Sequence, residues 1–265
     1  MIQKTFGRAR IGGGILTVAL GLGLSAGAAI AAEGMDPNAD EILRSMSKFL
    51  ADTKAVSVSA DISNEIISVE GQKLQFNGHA TLLIERPSRF HATRKGRFAD
   101  AELIFDGSKL TVYGKTANAY FQKDVAGTID QAIPALEREV GLSLPGADLL
   151  LSNPYAVLTA GVTSSGYHGI APIGGVPAHH LSFRTPKVDW QIWVKDGAEP
   201  LPLKYVITTK WLTGAPQYSV ELSHWNTKPV IASDRFKFAV PQGAKSLQAL
   251  VVDETGELAL PEEKK

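Results

Sequence analysis

Two adjacent histidines, His179 and His180, stand in the stretch VPAHHLSFRTPKVDWQIWV with Arg184, Asp189, Trp190 and Trp193. Imidazole, guanidinium and carboxylate groups this close together are the raw material of a metal site or a proton-transfer centre. Their spacing argues for a hairpin instead. Consecutive residues of a strand point to opposite faces, so adjacent histidines in a strand do not readily share one ion. A turn centred on Pro186-Lys187 sets Arg184 opposite Asp189, Ser182 opposite Gln191 and His180 opposite Trp193. One face then carries those six side chains. The other carries His179, Leu181, Phe183, Trp190, Ile192 and Val194. On this reading Arg184–Asp189 is a cross-strand ion pair worth ~0.2–1 kcal/mol, and His179 is hydrogen-bonded at the edge of the apolar face.

Other chemistry finds no better footing. His79, His91, His168 and His224 add no i, i+4 or H-x-H pair, so no metal site is assigned. GVTSSGYHG places Ser164, Ser165 and His168 together, but in a Gly-rich turn entering a strand, whereas a nucleophile elbow turns from strand to helix. Beyond position 32 there is no G-x-S-x-G, and H-E-x-x-H, the phosphate-binding loop and G-x-G-x-x-G are missing throughout. The chain has no Cys, which excludes thiolate ligands, cysteine nucleophiles and disulfides. No spacing pairs two carboxylates as acid and base. No catalytic residue, metal ligand or cofactor is assigned, and the expected protein is not an enzyme.

The elements that position these residues follow from composition and pattern. With 44% hydrophobic and 20% charged residues, a chain of 265 residues has ordinary globular composition and can bury a sizeable core. Its 27 basic and 27 acidic residues argue against a nucleic-acid partner, which calls for a basic excess. Residues 1–32 read as a secretory signal peptide: Lys4, Arg8 and Arg10, an uncharged run, then small residues with cleavage expected after Ala31 or Ala32. An uncleaved anchor is the alternative, since the run is long enough to span a bilayer. Residues 33–250 are expected to form a single domain, and the charged stretch 251–265 a disordered tail.

Within that domain DPNADEILRSMSKFLAD predicts a helix, capped by Asp36 or Asn38, with Ile42, Leu43, Met46, Phe49 and Leu50 on one stripe. From about Val56 to Lys123, short alternating runs are separated by Gly71-Gln72, Asn77-Gly78, Arg86-Pro87-Ser88, Lys95-Gly96, Asp106-Gly107 and Tyr113-Gly114, the pattern of an antiparallel meander. Residues 127–162 show helical spacing interrupted by Pro134, Pro145 and Pro154. Strand pattern resumes from Tyr167 to Val240, ending with FKFAV. No linker divides the two β stretches. The expected fold is α+β, one large curved antiparallel sheet with helices packed on one face.

ERPSRFHATRKG followed by AELIFDGSKLTVYGKTANAYFQ, with Pro87, Arg89, Phe90, Asp106, Gly107 and Tyr113, resembles periplasmic carriers of the lipoprotein-localisation (LolA/LolB-like) superfamily. ADLLLSNPYAVLTAGVTSSGYHG, the hairpin stretch of the opening extended to GGVPAHHLSFRTPKVDWQIWVKDGAEPLPLKYVITTKW, and GAPQYSVELSHWN resemble more closely the bacterial predicted periplasmic proteins grouped as domain of unknown function 2092. The resemblance runs from about Met35 to Ala244. It implies periplasmic localisation and a LolA-like half-barrel with helices on its concave face, and no established activity. Relatives often have Cys where Ala178 stands, so a metal or thiol site at that triplet would be lost here.

Leu142, Leu144, Leu149, Leu150, Tyr155, Val157 and Leu158, with Leu151, exceed what one amphipathic stripe requires. They either plug the concave face or form one wall or lid of a hydrophobic cavity, hinged at Pro145-Gly146 and Asn153-Pro154. The expected function is non-catalytic binding of a lipid, an acyl chain or a lipoprotein in that cavity, with a lipid or another envelope protein as partner. Two rival readings remain: an envelope protein-interaction or stress-sensor module without an internal cavity, and a metal-assisted hydrolase with three converging ligands.

Overall fold

Asp36 starts the first helix, α1 (Pro37–Asp52). Its carboxylate accepts from the amides of Asn38 and Ala39 at 2.9 and 3.0 Å, two of the donors that a helix start leaves unpaired. The computed structural model describes residues 34–97, 99–140 and 144–250. The expected signal peptide, the expected tail and Leu142 lie outside these residues. α1 buries Ala39, Leu43, Met46 and Leu50 completely or nearly so, with Ile42 and Phe49 packed alongside.

Six strands follow: β1 (Ala55–Ile67), β2 (Lys73–Glu85), β3 (Arg89–Gly96), β4 (Ala99–Phe105), β5 (Lys109–Gly114) and β6 (Ala119–Asp124). Then come α2 (Ile129–Val140), a 3-10 turn (Ala147–Leu150) and α3 (Pro154–Leu158). The second meander comprises β7 (Ser164–Ile173), β8 (Val176–Arg184), β9 (Val188–Lys195), β10 (Pro202–Thr209) and β11 (Gln217–Asn226), and the last strand is β12 (Lys245–Leu247). All twelve join one curved, unclosed sheet in the order β12-β6-β5-β4-β3-β2-β1-β11-β10-β9-β8-β7. Every neighbouring pair is antiparallel except β12–β6. The long β1–β11 ladder, from Ser57↔Asn226 to Asn64↔Tyr218, zips the two meanders into a mainly β fold with a few helices.

This order dictates where the helices go. β6 lies beside one edge and β7 forms the other, so the segment between them has to cross the sheet. It crosses on the concave face. α2 packs with β1 to β6 around Ile84, Phe90, Phe105 and Leu110, while α1 and α3 pack with β8 to β11 around Phe183, Trp190, Ile192 and Tyr205.

Two local expectations are corrected. α2 runs through Pro134 rather than breaking there. Proline removes one backbone donor near the helix start, and that loss is outweighed by the burial of Ile129, Ala132, Ile133 and Leu136 on the same face. FKFAV is not a strand: Phe236 is buried beneath the Arg89 guanidinium, and the Phe238 ring lies 5.7 and 5.3 Å from those of Tyr113 and Tyr120. The segment is a strap over the convex face that brings β12 to the outer side of β6.

Candidate functional site: an apolar cavity on the concave face

Strand register arranges the inward side chains of β1 to β5, with β11 beside β1, in rows. One row is Val56, Ile84, Phe90, Phe105 and Leu110, and the next is Val58, Leu82, Ala92, Leu103 and Val112. The third is Leu222, Ala60, Ala80, Arg94, Ala101 and Gly114. Bulky residues in the first row fill the space beneath α2, and small ones in the third leave it open. The result is a cavity of ≈ 590 Å³, lined by all of the third row and much of the other two. Exposed Thr116, in the turn after β5, is part of its rim. That volume falls in the ~300–1,000 Å³ range of sites that hold small molecules.

Leu144, Leu149 and Leu150 line the cavity opposite the sheet. Tyr155, Val157 and Leu158 do not. Tyr155 donates its hydroxyl to Asp40 on α1, beneath the Arg44 guanidinium at 3.9 Å from its ring, and so fastens α3 to α1. Leu158 is buried in the core around α1, and Val157 is exposed. The insert therefore does both jobs weighed from the sequence: its first part walls a cavity and its second part completes a core.

Four large side chains with polar groups in the cavity wall had no place among the sequence candidates. Arg86, just after β2, donates through Nη1 to the carbonyls of Leu150 and Leu151 at 2.5 and 3.4 Å, while its Nε is buried with no partner among the described residues. Burial pulls its pKa below the ordinary arginine value, with Asp130 acting the other way. Trp225 lines the wall and donates Nε1 to the Pro202 carbonyl at 3.0 Å. Arg94 and Tyr218 complete the set. Alternation gives the clue to Arg94 and Tyr218: Phe90, Ala92 and Arg94 share one face of β3, and Tyr218, Val220 and Leu222 share one of β11, whereas Trp225 reaches that face only through the register shift opposite Ser57 and Ser59.

The opening hairpin has the register expected from its turn, with Arg184↔Asp189, Ser182↔Gln191 and His180↔Trp193. Arg184 Nε lies 3.2 Å from Asp189 Oδ1, and Leu181, Phe183, Trp190, Ile192 and Val194 are buried. His180 stacks on Trp193 with ring centroids 4.1 Å apart and bonds Gln191 at 2.9 Å. Burial lowers its pKa, helped by His168 nearby. His179 bonds Tyr167 and Asp196 instead, both at 3.1 Å. The other histidines are spread over the sheet, His79 on Asp61, His91 on Glu102, His168 on Ser182 and His224 on Ser223. Among the described residues no three potential ligands converge on one point.

These features define an open half-barrel with an apolar cavity between its sheet and its helices. Residues 39–250 match the family described as "Predicted periplasmic protein (DUF2092)", and the chain belongs to that family. It is a periplasmic protein, and among its described residues no helix is long and apolar enough to cross a membrane. No curated protein matches it. Among solved structures it is similar to an uncharacterized conserved protein from Thermus thermophilus, at 12% identity, 79% of this chain, 98% of that one and a TM-score of 0.48. It is also similar to LprF from Mycobacterium bovis, at 17% identity, 80% and 100% coverage and a TM-score of 0.48. The LolA superfamily protein NE2245 from Nitrosomonas europaea matches at 10% identity, 76% and 97% coverage and a TM-score of 0.38.

Proposed function

We propose that this protein binds a lipid, an acyl chain or the lipid part of a lipoprotein, without catalysis, in the cavity on its concave face. The observation that carries the reading is the cavity itself, ≈ 590 Å³ over a row of alanines and walled by leucines. Burial would supply the affinity, at ~0.8 kcal/mol for each methylene removed from water. Leu144, Leu149 and Leu150 form the wall that the chain presses against. This wall is also the part able to move. Gly146, in a left-handed conformation (φ +87°) with open space around it, and Asn153-Pro154 bracket the 3-10 turn. The Arg86 contacts to the Leu150 and Leu151 carbonyls hold the turn against the sheet, so uptake and release would break them.

Native mass spectrometry with lipid extraction, on protein isolated from the periplasm, tests the proposal. Bound species of lipid mass are expected, and delipidated protein should take up acyl chains again. A protein that carries no lipid and gains none when offered it would overturn the reading.

A further inference from the structure

The third row of the sheet contains one charged side chain. Arg94 stands between Ala80 on β2 and Ala101 on β4 and lines the cavity, half-buried. Among the described residues it makes no hydrogen bond and no ion pair. The one carboxylate among the cavity residues, Asp100, is the cross-strand partner of Lys95. A guanidinium partly withdrawn from water and left without an anion is costly, and proteins normally pair such groups. Tyr218, on β11, lines the same cavity, and its hydroxyl also lacks a hydrogen bond among the described residues. Both line the cavity, and each feels the other: burial pushes the Tyr218 pKa up, and the Arg94 charge acts on it in the opposite direction.

We propose that Arg94, assisted by the Tyr218 hydroxyl, receives the acidic head of an amphiphile whose acyl chain fills the cavity. The head is a carboxylate or a phosphate monoester, the two anions whose oxygens match the planar fork of arginine. This rests on the cavity being a lipid site and adds the chemical class of the occupant. The small residues around Arg94 serve the same end, since Ala60, Ala80, Ala101 and Gly114 keep the approach to the guanidinium open. Chain burial then provides affinity without selectivity, and the arginine selects acidic over neutral heads.

Delipidated full-length protein should be titrated with palmitate, hexadecanol and palmitoyl-lysophosphatidate below their aggregation limits, with displacement of a fluorescent fatty-acid probe as the readout. Palmitate or the lysophosphatidate should bind roughly 10-fold to 100-fold more tightly than hexadecanol, the order expected of a hydrogen bond to a charged group. Which acid binds better identifies the head. Arg94→Gln should remove this preference by weakening the acids far more than hexadecanol, Arg94→Lys should keep part of it, and Tyr218→Phe should reduce it. Equal binding of acids and alcohol by the natural protein, or an Arg94→Gln protein that keeps the preference, overturns the proposal while leaving lipid binding intact. Failure of all three probes overturns the lipid reading as well. The comparison within the natural protein needs no variant to fold.

Discussion

Tyr155 was a candidate for the cavity and is instead the fastening of α3. Its hydroxyl is pushed up to about 12, first by burial and then by its bond to Asp40, against the pull of Arg44. The unfolded chain has tyrosine near ~10, so the folded protein keeps this proton to higher pH. The contribution is therefore intact below pH ~10 and is lost as pH rises toward about 12. Denaturation midpoints measured from pH 8 upward should hold steady and then fall above pH ~10. Tyr155→Phe should cost about 1–3 kcal/mol at neutral pH, as a lost bond to a charged acceptor, and should make the alkaline fall shallower. A variant as stable as the natural protein at neutral pH would contradict the fastening. On the hairpin, Phe183→Ala should cost ~3–5 kcal/mol because the side chain is 2% exposed and stacked on Trp190. His180→Ala should cost much less and leave lipid binding unchanged, since His180 lies on the opposite face from the cavity.

At the level of elements, the cavity exists because β1 to β5 place small residues in one register. Ala80→Leu and Ala101→Leu each put a branched side chain into open space. Either should weaken acyl-chain binding at least several-fold while the melting temperature holds or rises, because the space is empty rather than packed. Binding titration beside a thermal melt separates this from misfolding. Unchanged binding with both variants would place the ligand elsewhere. The strands themselves were legible in the sequence, as alternation and turn residues marked the meanders and gave the hairpin register. Arg86 was not legible as a cavity residue, because its role depends on carbonyls more than sixty positions away. Pro134 misled for the opposite reason: local chemistry predicts a break, and packing against the sheet overrides it.

For the whole molecule, stability should be uneven. The β1–β2 ladder is the longest in the sheet and β1–β11 joins it to the second meander, whereas the insert consists of two single-turn pieces after α2. Hydrogen exchange measured by mass spectrometry should show amides of 147–158 exchanging well before those of β1, β2 and β11. Arg86→Ala should speed the insert further without altering the β1–β11 core. Equal protection of insert and central strands would remove the movable wall from the account. The topology makes this division: a segment that has only to cross from one edge to the other is less constrained than strands paired on both sides.

The sequence by itself determined the absence of thiol chemistry, the alternation that builds the sheet, and the pairing that turns two adjacent histidines into opposite faces of a hairpin. These are local properties, fixed by periodicity and by residue type. Tertiary structure alone decided which rows of inward residues lie side by side, and so where bulk gives way to an empty space. It also divided the apolar insert between wall and core, and it put Arg94 and Tyr218, from strands far apart in the chain, on the wall of one cavity. Only a register summed across four strands, β3-β2-β1-β11, brings those groups to the same cavity.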